Sequence, residues 1–343
     1  MRSYVTLIFL ILFVSFGSYF FFDEFQDFQL EKEQSEKSAS LVQKEIWSFS
    51  HEDIETLPWI HLYSLPDPRF LDDLVSKIDT SKEKIWLNVY IFTEKRIRSA
   101  LIKAKKRGVD VRVILEKNVY QAPSINKETF LEFEKNSILI KYDNTSSIDL
   151  NHAKYLIIDN EAIFSTGNFT YTSFSKNREF FLISQNQSLV RFLKNIFESD
   201  FNGKKEYFYH PNMLVSPRYS REKIQYFLNS SKKNIDMYIP YLEDESIKNI
   251  LLKKQSQGIN IRIITSPSEK EDAFLLDIQK KWAHITFSKK TIHAKSFLID
   301  NNYLYIGSIN FSASSMDQNR EIGIILKEKE IISQFQKVFK SDL

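Results

Sequence analysis

The chain has 343 residues, 43% hydrophobic and 27% charged, enough for about two folding units with real cores. It has no cysteine, which excludes disulfides, thiolate nucleophiles, Cys-based zinc sites and an acylated cysteine. Seven glycines and no G-x-x-x-x-G-K or G-x-G-x-x-G run leave no nucleotide-type phosphate loop, and a net charge of +3 is too balanced to point to nucleic acid.

At the N-terminus an uncharged apolar run from Tyr4 to Phe22 is long enough to span a bilayer as a helix. Arg2 precedes it and Asp23, Glu24 and Asp27 follow it, so the bulk of the chain is expected outside the cytoplasm, on the periplasmic or extracellular side. Residues 1–22 therefore read as a membrane anchor or uncleaved signal; cleavage near Ser15 and Gly17 would instead give a secreted protein. Residues 23–58 are polar, without a sustained apolar stripe, and read as a stalk.

From Trp59 onward the chain repeats itself. The apolar runs that follow Ser81 and Ser231 lie 150 residues apart, and each leads into a charged helical segment, Glu94–Arg107 or Glu245–Gln257. Each segment stops at a glycine, Gly108 or Gly258, where a left-handed residue ends a helix. An alternating strand follows in each copy, VDVRVIL or INIRIIT, so strand–helix–strand occurs twice and suits parallel pairing. The first copy then carries nine more residues, expected as a loop within Asn118–Asn136. Both copies close with a helix, Leu189–Phe201 and Ile331–Lys340, dividing the chain into units at 59–206 and 207–343. The basic run from Lys103 to Arg107 reads as a solvated helix face, and His51, His61, His210 and His284 as surface or core histidines without matching companions.

Five polar residue types recur at matched spacing. The first copy reads His152-Ala-Lys154-Tyr-Leu-Ile-Ile-Asp159 and the second His293-Ala-Lys295-Ser-Phe-Leu-Ile-Asp300. Asn168 and Asn310 follow by 16 and 17 residues, and Glu179 and Glu321 lie 11 residues beyond them, each preceded by arginine. Side chains two apart on a strand share a face, so His and Lys point together. Asp falls on the other face or in the turn, which suggests that it binds backbone rather than substrate. Two imidazoles supply a nucleophile and an acid, lysines and asparagines surround phosphoryl oxygens, and a glutamate can fix each imidazole by its other nitrogen. Such a set suits phosphodiester cleavage without metal or cofactor.

These motifs resemble the phospholipase D superfamily, whose signature is HxKxxxxD followed by a GSxN-like element, in duplicate. The second copy matches fully at Gly307-Ser308-Ile309-Asn310; the first reads Ser165-Thr166-Gly167-Asn168 after a turn one residue shorter. The resemblance covers residues 59–343. It implies an α/β fold of two pseudo-twofold-related lobes, each a mixed, mostly parallel β-sheet flanked by helices, here after an N-terminal transmembrane helix. Its catalytic residues would be His152, Lys154, Asp159, His293, Lys295 and Asp300, with Asn168, Asn310, Glu179, Glu321 and Ser308 around the phosphate or behind it. It also implies a phosphohistidine intermediate, with His152 as nucleophile and His293 as general acid, although the near-equivalent motifs also admit the reverse. The expected activity is hydrolysis or transfer of a glycerophospholipid head group at a membrane. The alternative is a nuclease of the same superfamily cleaving DNA or RNA. Synthases that join two phosphatidylglycerols resemble longer chains with two N-terminal spans. Both half-sites lie on one polypeptide, so a monomer suffices and no protein partner is required.

Overall fold

The structure, a computed structural model, describes residues 49–343 except 144–147, 205, 207, 281 and 282. The expected membrane span at residues 4–22 and most of the stalk lie outside the described residues. Among the described residues no helix is long and apolar enough to cross a membrane.

Two lobes follow one plan. The first runs β1 (Ile60–Leu65), α1 (Pro68–Thr80), β2 (Lys84–Val89), α2 (Lys95–Lys106), β3 (Asp110–Leu115), α3 (Lys127–Lys135) and β4 (Leu139–Tyr142). It continues with β5 (Lys154–Ile158), β6 (Glu161–Ser165), α4 (Tyr171–Ser175), β7 (Glu179–Ser184) and α5 (Gln187–Phe201). The second runs β8 (Met213–Ser216), α6 (Ser220–Ser230), β9 (Asn234–Tyr238), α7 (Glu245–Ser256), β10 (Asn260–Thr265), α8 (Ala273–Lys280) and β11 (His284–Phe287). It closes with β12 (Lys295–Ile299), β13 (Tyr303–Gly307), α9 (Ala313–Asp317), β14 (Glu321–Leu326) and α10 (Lys329–Asp342).

Each lobe holds a seven-stranded sheet, ordered β1-β7-β6-β5-β2-β3-β4 and β11-β10-β9-β12-β13-β14-β8. The expectation of mostly parallel sheets needs correction. Only β2–β3, β3–β4, β9–β10 and β10–β11 pair in parallel, and the other pairs are antiparallel. Parallel neighbours need a crossover, and only α2, α3 and their counterparts provide one; β5–β6 and β12–β13 are joined by tight turns that reverse the chain. The nine-residue surplus is also divided: five residues precede β4, and four lie between Tyr142 and His152.

The crossover helix α2 starts where the Glu94 carboxylate accepts from the Arg96 amide, and stops at Gly108 with φ +92°. Its last turn holds Lys103, Lys105 and Lys106, so this basic run complements the negative end of the helix dipole. Helix α7 repeats the pattern from the Asp244 cap to Gly258 at φ +80°. Helices α5 and α10 fill the core between the sheets. Trp86 stacks on Phe197 at 5.3 Å, while Phe335 of α10 meets Phe180 of one lobe and Tyr238 of the other.

Asp159 and Asp300 take their place in this framework. Asp159 has φ 49° in the β5–β6 turn, and its carboxylate accepts backbone N–H bonds from Lys82, Glu83 and Lys84 at 2.9, 2.8 and 3.0 Å. Asp300 does the same for Lys232, Lys233 and Asn234 at 2.8, 2.7 and 2.9 Å. Each carboxylate thus ties a hairpin turn to the strand that enters the sheet centre. Replacing Asp159 by Ala removes three charge-assisted bonds and leaves a Cβ-bearing residue at positive φ without its local partner. A stability loss of about 2–4 kcal/mol is expected in urea unfolding, with turnover per folded molecule retained.

Candidate active site

The two signature segments meet where the lobes face each other. His152 and His293 sit just before β5 and β12, so the strands proper begin at the lysines. The His152 N–H donates to the Arg320 carbonyl at 2.9 Å, and the Arg320 N–H donates to the Leu150 carbonyl at 2.8 Å. The reciprocal seam uses the Arg178 N–H on the Thr291 carbonyl at 2.8 Å, with the Arg178 carbonyl accepting from His293 and Ala294 at 3.3 and 3.0 Å. The segment before β14 is thereby stitched to the first motif, and the segment before β7 to the second.

That stitching decides which carboxylate each imidazole receives. Glu321 lies 2.8 and 2.9 Å from His152 Nδ1, and Glu179 lies 2.7 Å from His293 Nδ1. Each histidine is held by the glutamate of the opposite lobe. Both glutamates are fully buried, as are the lysines, whose Nζ atoms donate to the carbonyls of His152 and His293. The oxygens Oδ1 of Asn168 and Asn310 are buried without a hydrogen-bond partner.

The departure of the first copy from GSxN has a steric cause. A Cβ on Gly167 would sit 2.6 Å from the Glu179 carboxyl carbon, so only glycine fits there. Thr166 stands where Ser308 stands in the second copy: its hydroxyl accepts from the Phe180 N–H at 2.9 Å, as Ser308 does from Ile322 at 3.0 Å. Thr166 also donates to Glu179 at 2.6 Å. The residue missing from the first copy comes from the hairpin, which turns over Asp159-Asn160 rather than Asp300-Asn301-Asn302.

Burial dominates the electrostatics. It pushes Glu321 up to about 8 against the pull of Lys154, and Lys295 down to about 8. Burial, with the charges of Lys154, Lys295 and His293, holds His152 well below the ordinary imidazole range. Burial also lowers His293, opposed by the Glu179 charge. Glu179 is pushed up by burial, but the His293 and Lys295 charges and the Thr166 hydroxyl outweigh it, and it lies below the usual carboxylate value. The two histidine–glutamate pairs are alike in geometry and unlike in charge.

Asp159 and Asp300 stand apart from the cluster, at the far ends of β5 and β12, engaged with backbone amides. Other residues enter it instead. The Tyr90 ring packs edge-on against His152 at 4.7 Å and beneath Lys154 at 5.3 Å. Its lobe 2 counterpart is Pro240, so a search for duplicated residues passes over it. Arg178 grips Asp342 through two bonds of 2.6 and 2.9 Å, and Arg320 grips Asp200 at 2.8 Å, bracing both seams from α10 and α5. The sequence marks these arginines through their repeated position before glutamate.

Comparison with known proteins agrees with the duplicated fold. The family described as "Cardiolipin synthase, PLD-like domain" matches residues 74–201 and 224–343. A cardiolipin synthase of Listeria welshimeri is 23% identical over 323 residues, 79% of this chain and 66% of that protein. The chain thus spans just under two thirds of the length of that relative. Phosphatidylserine synthase of Haemophilus influenzae shares the fold at TM-score 0.68, 12% identity, and 88% and 89% coverage of the two chains. Polyphosphate kinase of Porphyromonas gingivalis shares it at TM-score 0.65 and 17% identity, over 82% of this chain and 50% of the kinase. The family match takes in most of both lobes with their paired motifs, and the chain belongs to the phospholipase D superfamily, in its cardiolipin synthase-type domain family.

Proposed function

We propose that the chain is a phospholipase D-type enzyme that cleaves a glycerophospholipid at the head-group side of its phosphodiester and passes the phosphatidyl group to an alcohol or to water. Its chief support is the crossed pairing: each imidazole is bound through Nδ1 to a buried carboxylate of the other lobe, which leaves both Nε2 atoms for one phosphorus. His152 Nε2 attacks phosphorus, the phosphorus–head-group oxygen bond breaks, and His293 gives its Nε2 proton to the leaving alkoxide. The acceptor alcohol or water then gives its proton to His293 and attacks phosphorus, breaking the phosphorus–nitrogen bond. This order suits the charges, because His152 is the more strongly held neutral, while the ionised Glu179 opposes the burial that lowers His293. Lys154, Lys295, Asn168 and Asn310 donate to the non-bridging oxygens. Likeness to a protein named cardiolipin synthase supports a phospholipid substrate and an alcohol acceptor. In the same reading residues 1–22 anchor the enzyme, 23–58 form a stalk, and 59–206 and 207–343 are the halves that build one site.

Full-length protein in EDTA should release head group from phosphatidylglycerol, or exchange it for an added alcohol. Degradation of plasmid or single-stranded DNA under those conditions, with every phospholipid inert, would establish the nuclease reading instead.

The two histidine roles separate by leaving group. His293→Ala should lower lipid turnover about 100–10,000-fold yet recover much of its rate on a p-nitrophenyl phosphodiester, whose phenolate leaves unprotonated. His152→Ala should be inactive on both, and equal rescue of the two variants would refute the assignment.

The pH profile should be asymmetric. His293 must enter protonated and burial lowers it below the ordinary imidazole value, so kcat/KM should already fall as pH rises past that range, before Lys295 loses its charge at about 8. His152 must be neutral, so the acid limb should lie well below 6.5. Bound phosphate favours both cations, and the basic limb of kcat should move to higher pH than that of kcat/KM.

A further inference from the structure

Among the described residues, two of the most exposed large side chains belong to lobe 1, in segments tied to the site. Tyr120 is 76% exposed and Tyr171 is 65% exposed. The Tyr120 N–H donates to the Tyr90 hydroxyl at 2.8 Å, and the Tyr90 ring lies against His152, so the loop that bears Tyr120 is tied to the catalytic imidazole's neighbour. Tyr171 opens α4 three residues after Asn168; the carbonyl of Phe169 between them accepts from Thr93 and Glu94, just beyond Tyr90. Both tyrosines therefore flank the chain leaving the C-terminal end of β2. Ile125, 39% exposed, lies in the same loop as Tyr120.

The pseudo-twofold supplies an internal control. The residue equivalent to Tyr171 at the start of α9 is Ala313, also exposed, so the fold does not demand an aromatic there. An unforced tyrosine in water forfeits the burial of its ring, whereas at a bilayer surface the ring sits among headgroups with its hydroxyl in water. Lys117, Lys127 and Lys176 are exposed near the aromatic residues in sequence, and the exposed Glu128 beside Lys127 is paired with Arg98.

We propose that this lobe 1 rim, Tyr120, Ile125 and Tyr171 with Lys117, Lys127 and Lys176, rests on the headgroup layer of an anionic bilayer and sets the cleft mouth against it. It deepens the lipid reading of the site and rests on it. The lysines draw the rim to anionic lipid, and the tyrosines enter the interface on one side of the cleft only.

The chain lacks cysteine, so Tyr120→Cys and Tyr171→Cys each place one polarity-sensitive fluorophore on the full-length protein. Lys82→Cys, at the opposite end of β2, serves as control. In phosphatidylglycerol vesicles with brominated acyl chains, labels at 120 and 171 should shift to the blue and lose intensity about twofold or more, while the label at 82 does not. Reversing Lys117, Lys127 and Lys176 to Glu should weaken that quenching. Equal quenching at all three positions, or shielding at 120 and 171 that tracks protein concentration rather than lipid, would overturn the proposal; the latter would mark a contact between copies. Insertion is read without turnover. A preparation that inserts but fails on every lipid counts against the reaction alone, and one that turns over lipid without insertion counts against the rim alone.

Discussion

The buried carboxylate that each lobe lends to the other's histidine is the constraint on which the remaining structure turns. A fully buried carboxyl group without a partner costs several kcal/mol, and the imidazole that bonds Glu179 or Glu321 comes from across the seam. The seam must therefore close with little tolerance. Backbone bonds at Arg178 and Arg320 set its register, and the arginine–aspartate pairs from α10 and α5 hold it from behind. Apolar packing of those helices between the sheets supplies the bulk of the adhesion, and the polar seam selects one alignment from those the apolar surface would permit.

Near-symmetry gives the site its duplicate parts, and small breaks in it give the parts different characters. Gly167 admits the Glu179 carboxylate close to the backbone, where the Thr166 hydroxyl reaches it and helps keep it ionised. Glu321 has the Ser308 and Ser315 hydroxyls and the Lys154 and Lys295 charges beside it, yet burial still drives it to about 8. Tyr90 stands beside one imidazole and a proline occupies the matching position near the other. A reaction that asks one histidine to attack and the other to give a proton is served by such inequality.

Much of this was legible in the sequence because repetition is a strong signal. The 150-residue offset, the capping glycines and the matched polar spacings identified the strand–helix–strand halves and brought the histidines, lysines, asparagines and glutamates to notice together. Parity along β5 and β12 also separated Asp159 and Asp300 from the histidines, whereas the family resemblance had counted them among the catalytic residues. Pairing direction was misjudged because the crossover units set the expectation for the whole sheet, although the strand–turn–strand at β5–β6 and β12–β13 and the further strands that follow pair antiparallel. The crossing of the glutamates was illegible for a different reason: spacing within a copy is the same whether a carboxylate serves its own histidine or its neighbour's. Tyr90 stood out only as one more packing aromatic near a strand end, because it occurs once.

The fixed interval between histidine and aspartate in each signature acquires a mechanical meaning from the placement of Asp159 and Asp300. The five-residue strand between them crosses the sheet, with the imidazole at one margin and the carboxylate clamped to amides at the other. It works as a ruler. One residue more or fewer would turn every following side chain to the opposite face and carry the carboxylate off its amides. The adjoining hairpin can gain or lose a residue, as the two copies do, because it lies beyond the ruler's end.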